Sequence, residues 1–241
     1  MEKIDCVSLE PCVDSKFVQP YRMRYKQNGQ PRIWDCVKQH DSVAVLIFHK
    51  SRSEFVFVRQ FRPVVYLAHN KDKIKNHPVF ATPLNVKTKS ASSTPQPATA
   101  NDQIPVEDLS TIFTPSSTGL THELCAGVVD SENSYEQITK EEILEECGYD
   151  VPLNCIEKIT SYYSSVGVSG SYQTLFYAEV SDDMLVNKGG GSAAEGEMID
   201  VVYISLDEIT TFMYDEKKLK TPSVVLAIMW FLQKKLPSLK K

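Results

Sequence analysis

The most restrictive feature of this sequence is an acidic helix that follows a glycine turn. Residues 122–127 read His-Glu-Leu-Cys-Ala-Gly, and residues 141–148 read Glu-Glu-Ile-Leu-Glu-Glu-Cys-Gly. On a helix, Glu142, Glu145 and Glu146 share one exposed face at i, i+3 and i+4 spacing, opposite an apolar face. Like charges at this spacing destabilise a helix by roughly 0.2–0.5 kcal/mol per pair, so the cluster is expected to hold a cation.

Flanking residues set the limits of this helix. Ser134-Tyr-Glu-Gln137 has the spacing of a capping box, which places the helix start near residue 135. Gly148 stands where a helix C-terminus favours a left-handed residue. The sequence therefore predicts a helix over residues 135–147. The segment 121–126 before it is predicted to be a short strand, and Gly127 permits the tight turn that follows.

Apolar and alternating runs predict most of a sheet. Apolar residues over 42–48 and 55–58 are typical of central strands, and later runs have strand patterning. A final helix opens at Thr221-Pro222, because proline is favoured in the first turn. The later segments predicted to be strands are 156–163, 172–180 and 199–205.

The first forty residues predict a separate antiparallel hairpin. Asn28-Gly29 lies between two alternating segments, 17–25 and 33–37, and is a strong signal for a two-residue hairpin turn. Such a sheet is too small to be stable alone, so it must pack on the main domain or on a second subunit. Trp34 in it is either a hydrophobic anchor or a platform on which a nucleotide base stacks.

The domain organisation follows from these segments and from one change in composition. Residues 1–40 are predicted to form the N-terminal sheet, which is expected to support dimerisation, and residues 41–241 the main domain. Residues 70–118 are rich in Lys, Pro, Ser and Thr with little periodicity, so they are predicted to be a long, partly disordered insertion.

Composition excludes several function classes. The 241 residues carry a net charge of −5 without a basic stripe, so nucleic acid is not an expected partner. The apolar run 224–232 is shorter than a bilayer span, and no membrane association is expected. The N-terminus lacks the features of a secretory or transit peptide, which favours a cytoplasmic location. The six cysteines are expected to be reduced and mostly buried.

Two further segments carry candidate functional groups. Arg59 and Arg62 follow the strand 55–58 and are either solvated, paired with acids, or bound to a diphosphate. The glycine-rich loop 188–197 ends in Glu195 and Glu197, which either swing over a substrate or belong to a solvated hairpin loop. The residues alone leave these alternatives open.

The spacing of Gly127, Glu142, Glu145, Glu146 and Gly148 resembles the Nudix box of the Nudix hydrolases. The similarity extends to other segments and is strongest to the branch of the family that acts on UDP-sugars and ADP-ribose. These segments are Gln60-Phe-Arg-Pro63, Glu123-Leu-Cys-Ala-Gly127, Gly189-Gly-Gly191 and Glu195-Gly-Glu197.

The resemblance implies both a fold and an activity. The fold would be α+β, an α/β/α sandwich with a mixed sheet, joined to the small N-terminal antiparallel sheet. The activity would be the Mg²⁺-dependent hydrolysis of UDP-sugars such as UDP-glucose to UMP and a sugar 1-phosphate. The alternatives are an ADP-ribose pyrophosphatase and a nucleotide-sugar-binding protein without catalysis.

The resemblance also implies roles for the acidic residues. Glu142 and Glu146 would be the main ligands of Mg²⁺, or of Mn²⁺ in its place, with help from Glu145 and the Ala126 carbonyl. Either Glu195 or Glu197 would act as general base or further ligand.

Substrate contacts follow from the same resemblance. Arg59 and Arg62 would bind the diphosphate, and Gly127 would form the turn beside it. Trp34 would stack on the base, across a homodimer that exchanges its N-terminal sheets.

Two positions depart from the family pattern. Glu141 and Asn133 occupy positions where the family has an arginine and the glutamate that it pairs with. Lys140 precedes Glu141 by one residue, but the helix turn is expected to direct it elsewhere. Val166 replaces a proline that is usual in ADP-ribose enzymes, which favours UDP-sugars.

Overall fold

A computed structural model describes residues 4–12, 15, 18–81, 108–194 and 196–239. The chain divides into two compact units, each described here by itself. One comprises Met1–Asp14 and Phe61–Leu120, and the other comprises Ser15–Gln60 and Thr121–Lys241. The predicted division at residue 40 stays a prediction.

The strands of the described residues match most of the predicted ones. The segments predicted over 156–163, 172–180 and 199–205 have the predicted limits. The strands are β1 (Gln19–Gln27), β2 (Gln30–Lys38), β3 (Ser42–His49), β4 (Glu54–Phe61), β5 (Leu120–Glu123), β6 (Cys125–Val128), β7 (Ile156–Tyr163), β8 (Tyr172–Val180) and β9 (Ile199–Ser205).

The described helices are short, and two of them continue directly into π-helical turns. The α-helices are α1 (Pro63–His69), α2 (Lys71–Ile74), α3 (Pro78–Ala81), α4 (Tyr135–Glu142), α5 (Ile209–Tyr214), α6 (Pro222–Trp230) and α7 (Leu236–Leu239). The π-helical turns are Ile143–Cys147 and Phe231–Lys235. Single 3₁₀ turns occupy Leu109–Thr111, Ser116–Gly119, Leu153–Cys155 and Asp182–Met184.

A mixed sheet forms the centre of the second unit. Within the described residues it has seven strands, in the order β5-β4-β3-β8-β7, with β6 also pairing with β3 and β9 with β4. The β3 and β8 strands are parallel, and β3 is antiparallel to both β4 and β6. This arrangement confirms the predicted mixed sheet.

Alternate residues of β3 enter two separate cores. Val43, Val45 and Ile47 pack on one face with residues of the acidic helix. Leu46 and Phe48 pack on the opposite face with residues of α5 and α6. Because both faces are covered, the strand reads as a continuous apolar run rather than an alternating one. The α/β/α layering implied by the family resemblance is confirmed.

The predicted N-terminal hairpin is also confirmed. Asn28 and Gly29 have φ values of 52° and 78°, the positive values that the favoured two-residue turn requires. Residues of β1 pair with β2 along their whole length, from Gln19↔Lys38 to Gln27↔Gln30. Most residues of both strands are exposed.

Three details differ from the predictions. The strand predicted over 121–126 is interrupted at Leu124. The segment before it, β5, pairs with β4, whereas the segment after it, β6, pairs with β3. Cys6, Cys12 and Cys155 are exposed, so only Cys125 and Cys147 are the buried thiols that we predicted. Cys155 is the last residue of a 3₁₀ turn at the surface and lies directly before β7.

The ends of the predicted disordered insertion are ordered. Helices α2 and α3 lie within it, and residues 82–107 lie outside the described residues. Buried Asn70 explains part of the order, because its side chain donates to Tyr66 O at 2.9 Å and to Thr114 Oγ1 at 3.0 Å. Its Oδ1 also accepts from the Thr114 amide at 2.9 Å. The two contacts with Thr114 join residues 44 positions apart, which sequence periodicity cannot reveal.

No helix in the described residues combines the length and the apolar composition that crossing a bilayer requires. The final helix is a core helix as predicted, since Val224, Ala227, Ile228 and Phe231 are buried.

Buried His122 predicts a pH dependence of stability. Burial lowers the pKa of His122, and the nearby cations Lys218, Arg59 and Lys220 lower it further against the hydrogen bond to Leu219. The unfolded chain therefore binds a proton near the ordinary pKa of about 6.5 that the folded chain does not bind. Stability is fully present above this pH and falls below it, by at most about 1.4 kcal/mol per pH unit.

Urea unfolding between pH 7.5 and pH 5.5 measures this contribution. His122→Gln removes the titrating group, so its free energy of unfolding should fall less with pH than that of the wild type. His40→Gln, at an exposed histidine, is the control. Equal slopes for the wild type and His122→Gln would contradict the prediction.

Candidate active site

The candidate site lies where strand β6 closely approaches the acidic helix. Ala126 and Gly127 in β6 pair with Ala44 and Val43 of β3, which fixes their backbone. A Cβ atom added to Gly127 would lie 1.9 Å from Glu142 Oε1. The Glu142 carboxylate therefore occupies the space that any other residue at position 127 would fill.

The acidic helix has the predicted limits. Ser134 Oγ accepts a hydrogen bond from the Gln137 amide at 3.2 Å, which caps the first turn of α4. The helix continues through the π-helical turn Ile143–Cys147 to Gly148, whose φ is +80°. A π-helical turn is rare and frequently marks a functional site.

Glu146 is buried, which corrects the prediction that it shares an exposed face with Glu142 and Glu145. Its exposed fraction is 3%, whereas Glu145 is exposed and Glu142 is half-buried. The π-helical turn contributes to this difference, because its i→i+5 hydrogen bonding widens the turn and changes the direction of side chains predicted from a period of 3.6. Glu146 Oε2 accepts a hydrogen bond from the Ala126 amide at 3.0 Å.

The surroundings of Glu146 are unfavourable to its charge. Burial raises its pKa to about 8, although the Cys125 thiol and the Ala126 amide stabilise the ionised form. The neighbouring carboxylates of Glu142 and Glu197 raise the pKa further. Burial also raises the pKa of the Cys125 thiol, which keeps it a protonated donor. Without a cation, the ionised form of Glu146 is therefore disfavoured in this site.

This donor set fits a hard divalent cation. Carboxylate and carbonyl oxygens are the preferred ligands of Mg²⁺ and related ions, and a cation would offset the repulsion among Glu142, Glu146 and Glu197. Among the described residues, no group of three or more His, Cys, Asp or Glu side chains is positioned closely enough to hold a metal ion. The fit therefore rests on the chemistry and the mutual repulsion of the carboxylates.

The glycine-rich loop brings one of its two acids to the site. Glu197 is half-buried, and its Oε2 accepts a hydrogen bond from the Ser192 amide at 2.9 Å. The amides of Gly190 and Gly191 donate to the carbonyls of Glu146 at 2.9 Å and Glu145 at 3.2 Å. The other acid, Glu195, lies outside the described residues.

The two departures at the start of the helix compensate each other. Glu141 Oε1 accepts from Gln137 Nε2 at 2.8 Å and from Asn133 Nδ2 at 3.5 Å, so amides hold a carboxylate where the family pairs an arginine with a glutamate. Lys140 points elsewhere, as predicted, and pairs with Asp150 at 2.8 Å. The acidic helix therefore keeps a local brace without the arginine.

The two arginines predicted to bind the diphosphate belong to different units of the chain. Arg59 Nη2 pairs with Asp200 at 2.7 Å, and strand alternation places Arg59 on the face of Phe57. Arg59 Nε is buried and has no hydrogen-bond partner among the described residues. Arg62 belongs to the other unit, where it precedes α1 and its amide donates to Gly119 O at 2.8 Å.

Trp34 is not a buried anchor. It is 51% exposed, and its indole Nε1 donates to Gly167 O at 3.1 Å in the loop between β7 and β8. The amide of Val37 donates to Val168 O at 2.9 Å and adds a second link to this loop. Val166, the position where ADP-ribose enzymes have proline, is 80% exposed in the same loop.

Two residues of the site were not predicted from the sequence. Ser192 holds Glu197 through its backbone amide, for which no side-chain signal exists. Asn187 Oδ1 accepts from the Gly189 amide at 2.7 Å. The pattern Asn-x-Gly is a signal for such a turn, because asparagine side chains accept hydrogen bonds from amides two residues later.

Comparison with known proteins gives near-complete matches. The chain is 38% identical over 240 residues to the uridine diphosphate glucose pyrophosphatase NUDT14 of Bos taurus, with 99% of both chains covered. It is 37% identical, with the same coverage, to the protein of that name from Mus musculus. A GDP-mannose pyrophosphatase of Cronobacter sakazakii is 26% identical over 70% of this chain and 61% of its own. No family model matches the chain.

A substitution at Gly127 tests the close approach to Glu142. In Gly127→Ala the new methyl group displaces the Glu142 carboxylate, so the affinity for Mn²⁺ measured by calorimetry should fall about tenfold. Because Glu142 is a flexible side chain, the free energy of unfolding should change by less than about 1 kcal/mol.

Gly167→Ala is the matched control, since an added Cβ atom there meets nothing within 4 Å. Neither glycine has a positive φ, so the two variants differ in the steric contact. Unchanged Mn²⁺ affinity in Gly127→Ala would show that Glu142 does not contribute to cation binding.

Proposed function

The chain belongs to the Nudix hydrolase family, and from this premise we propose that it hydrolyses the diphosphate of UDP-sugars. UDP-glucose would yield UMP and glucose 1-phosphate. The observation that carries this proposal is the buried carboxylate of Glu146 beside Glu142 and Glu197, in a chain that matches two uridine diphosphate glucose pyrophosphatases over 99% of its length.

The proposed cofactor is a divalent metal ion, which Nudix hydrolases generally use. Mg²⁺ is our choice and Mn²⁺ the alternative, because oxygen ligands favour hard ions. Glu142, Glu146 and the Ala126 carbonyl would hold it, with Glu145 assisting. When bound, the ion would neutralise charge on the diphosphate and activate a water for attack at phosphorus.

Glu197 is our proposed general base. Its carboxylate lies close enough to Glu146 to raise that residue's pKa, and the Ser192 amide orients it. A base in this position would accept a proton from the attacking water as the new P–O bond forms. The leaving sugar phosphate then departs as the phosphoanhydride bond breaks.

The arginines and Trp34 remain our proposed substrate contacts. The buried and unpaired Nε–H of Arg59 supports a role in binding an oxyanion, because such a donor costs free energy until an acceptor meets it. We also propose that Arg62 contacts the diphosphate, that Gly127 borders it, and that the exposed ring of Trp34 stacks on the base.

We further propose a homodimer formed through the N-terminal hairpin. Its strands pair only with each other in the described sheets, and a lone two-stranded sheet is marginally stable in water. Tyr21, Met23 and Trp34 lie on one face, since Met23 is paired with Trp34 directly across the strands. Each of these three residues is about half exposed, as is typical of a surface that a partner covers.

We propose a cytosolic location because the cysteines form no disulfide bonds. All six are free thiols, which is the usual state in a reducing compartment.

Turnover of nucleotide sugars tests the function. Pure protein with Mg²⁺ should convert UDP-glucose to UMP and glucose 1-phosphate, with a higher kcat/KM than for ADP-ribose or GDP-mannose in the same assay. Phosphate-specific NMR or chromatography identifies the products. Absence of turnover with all three substrates would refute the proposal.

The variant Glu197→Gln tests the proposed general base in the same assay. It removes the proposed base without changing the size of the side chain, so kcat should fall by about 10²- to 10⁴-fold. Glu216→Gln, at an exposed glutamate between α5 and α6, should leave kcat unchanged. Full activity of Glu197→Gln together with loss of activity in Glu195→Gln would assign the base to Glu195.

Sedimentation analysis tests the dimer. Met23→Glu introduces a charge into the apolar face of the hairpin and should shift the protein from dimer to monomer. Met229→Glu, at an exposed methionine of α6, is the matched control and should remain dimeric. A wild-type protein that is monomeric at micromolar concentration would contradict the proposal.

A further inference from the structure

A segment with three consecutive glycines contacts both the end of the acidic helix and Glu197. We call residues 186–192 the glycine strap. Gly189, Gly190 and Gly191 have φ values of 64°, 119° and 79°, all in the region that residues with side chains rarely adopt. Glycine also has the largest conformational freedom to lose, so an unrestrained segment of this composition would not hold one conformation.

One side of the glycine strap is bonded to the C-terminal end of the acidic helix. The Val186 amide donates to Gly148 O at 2.9 Å, and the Gly190 amide donates to Glu146 O at 2.9 Å. A Cβ atom at Gly189 would lie 2.3 Å from Glu146 O, so the backbone packs directly on that carbonyl. The strap therefore satisfies carbonyls that the helix end leaves without an intrahelical donor.

The other end of the glycine strap sets the position of Glu197. The Ser192 amide donates to Glu197 Oε2 at 2.9 Å, and the Glu197 amide donates to Ser192 O at 3.1 Å. A Cβ atom at Gly191 would lie 2.6 Å from Glu197 Oε2, so the carboxylate rests against the strap. A change in the strap conformation therefore moves this carboxylate relative to Glu146.

Asn187 is the residue whose side chain fixes the first glycine of the strap. Its Oδ1 accepts a hydrogen bond from the Gly189 amide at 2.7 Å. Its own amide donates to Gly148 O at 3.3 Å, which attaches it to the helix end. Because the residue is exposed, the side chain contributes this contact without filling the core.

We propose that Asn187 is a positioning residue that acts through the glycine strap on Glu197, aligning the carboxylate with the acidic helix. The proposal rests on the proposed function, since it assumes that Glu197 is the base. Asn187 does not touch the substrate in this scheme. Its loss is therefore expected to lower kcat and to leave KM nearly unchanged.

Two measurements on full-length Asn187→Ala test this role. Hydrogen exchange of the amides over residues 186–192, without metal or substrate, should be faster than in the wild type. In the UDP-glucose assay with Mg²⁺, kcat should fall about five- to tenfold, the scale of one lost hydrogen bond, while KM changes less than about twofold. The melting temperature should stay close to that of the wild type.

Asn187→Asp separates positioning from a general structural role, because its carboxylate also accepts a hydrogen bond from the Gly189 amide. It should restore slow exchange and most of kcat. Asn154→Ala, at an exposed asparagine of a 3₁₀ turn, should behave as the wild type.

The outcomes are distinguishable from failure of the proposed function. Unchanged exchange over residues 186–192 in Asn187→Ala would overturn the positioning role, whether or not UDP-glucose is a substrate. Faster exchange with an unchanged kcat would overturn its link to Glu197. A wild type that does not hydrolyse UDP-glucose would refute the proposed function, and the exchange result would still report on the strap.

Discussion

The hydrogen bond between the Ala126 amide and the buried carboxylate of Glu146 is the contact on which the site depends. It joins the central sheet to the acidic helix within the segment of β6 that pairs with β3. A buried carboxylate is costly unless donors stabilise it, so this bond constrains both the strand and the helix. The approach that it enforces also brings Glu142 against Gly127, where no side chain fits. Strand, turn and helix therefore specify one another.

Local patterns predicted the parts of the fold that depend on local physics. Strands β7, β8 and β9 have the predicted limits because each is one continuous strand segment between turns or loops. The hairpin was predicted because Asn28 and Gly29 adopt the positive φ values that few other residues accept. Distant contacts account for two features that local patterns did not reveal. The strand after residue 120 changes neighbours at Leu124, and Asn70 contacts Thr114 across the predicted insertion.

The acidic helix shows why periodicity gave only part of the site. Regular helical spacing groups Glu142, Glu145 and Glu146 on one exposed face, but the π-helical turn Ile143–Cys147 leaves Glu145 exposed and buries Glu146. Nothing in the residue pattern indicates a π-helical turn. The position of Glu197 could not be predicted from the sequence either, because it depends on a hydrogen bond from the backbone amide of Ser192. Carboxylates were predicted from their spacing, whereas their burial and orientation are tertiary properties.

Hydrogen bonds at Glu141 brace the acidic helix although the charge at this position is the reverse of that in the family pattern. An arginine that pairs with a glutamate contributes an ion pair, and near a surface such pairs add little net stability. Glu141 reverses the charge at this position, yet amide groups of Gln137 and Asn133 donate to it. Lys140 does not take over the arginine's place, because one residue along a helix turns its side chain by about 100° and directs it to Asp150. A donor and an acceptor at the right separation suffice to brace the first turn. Glu142, the next residue, still lies against Gly127, and Glu146 still accepts a hydrogen bond from the Ala126 amide, so both carboxylates reach β6 with Glu141 in the arginine's place.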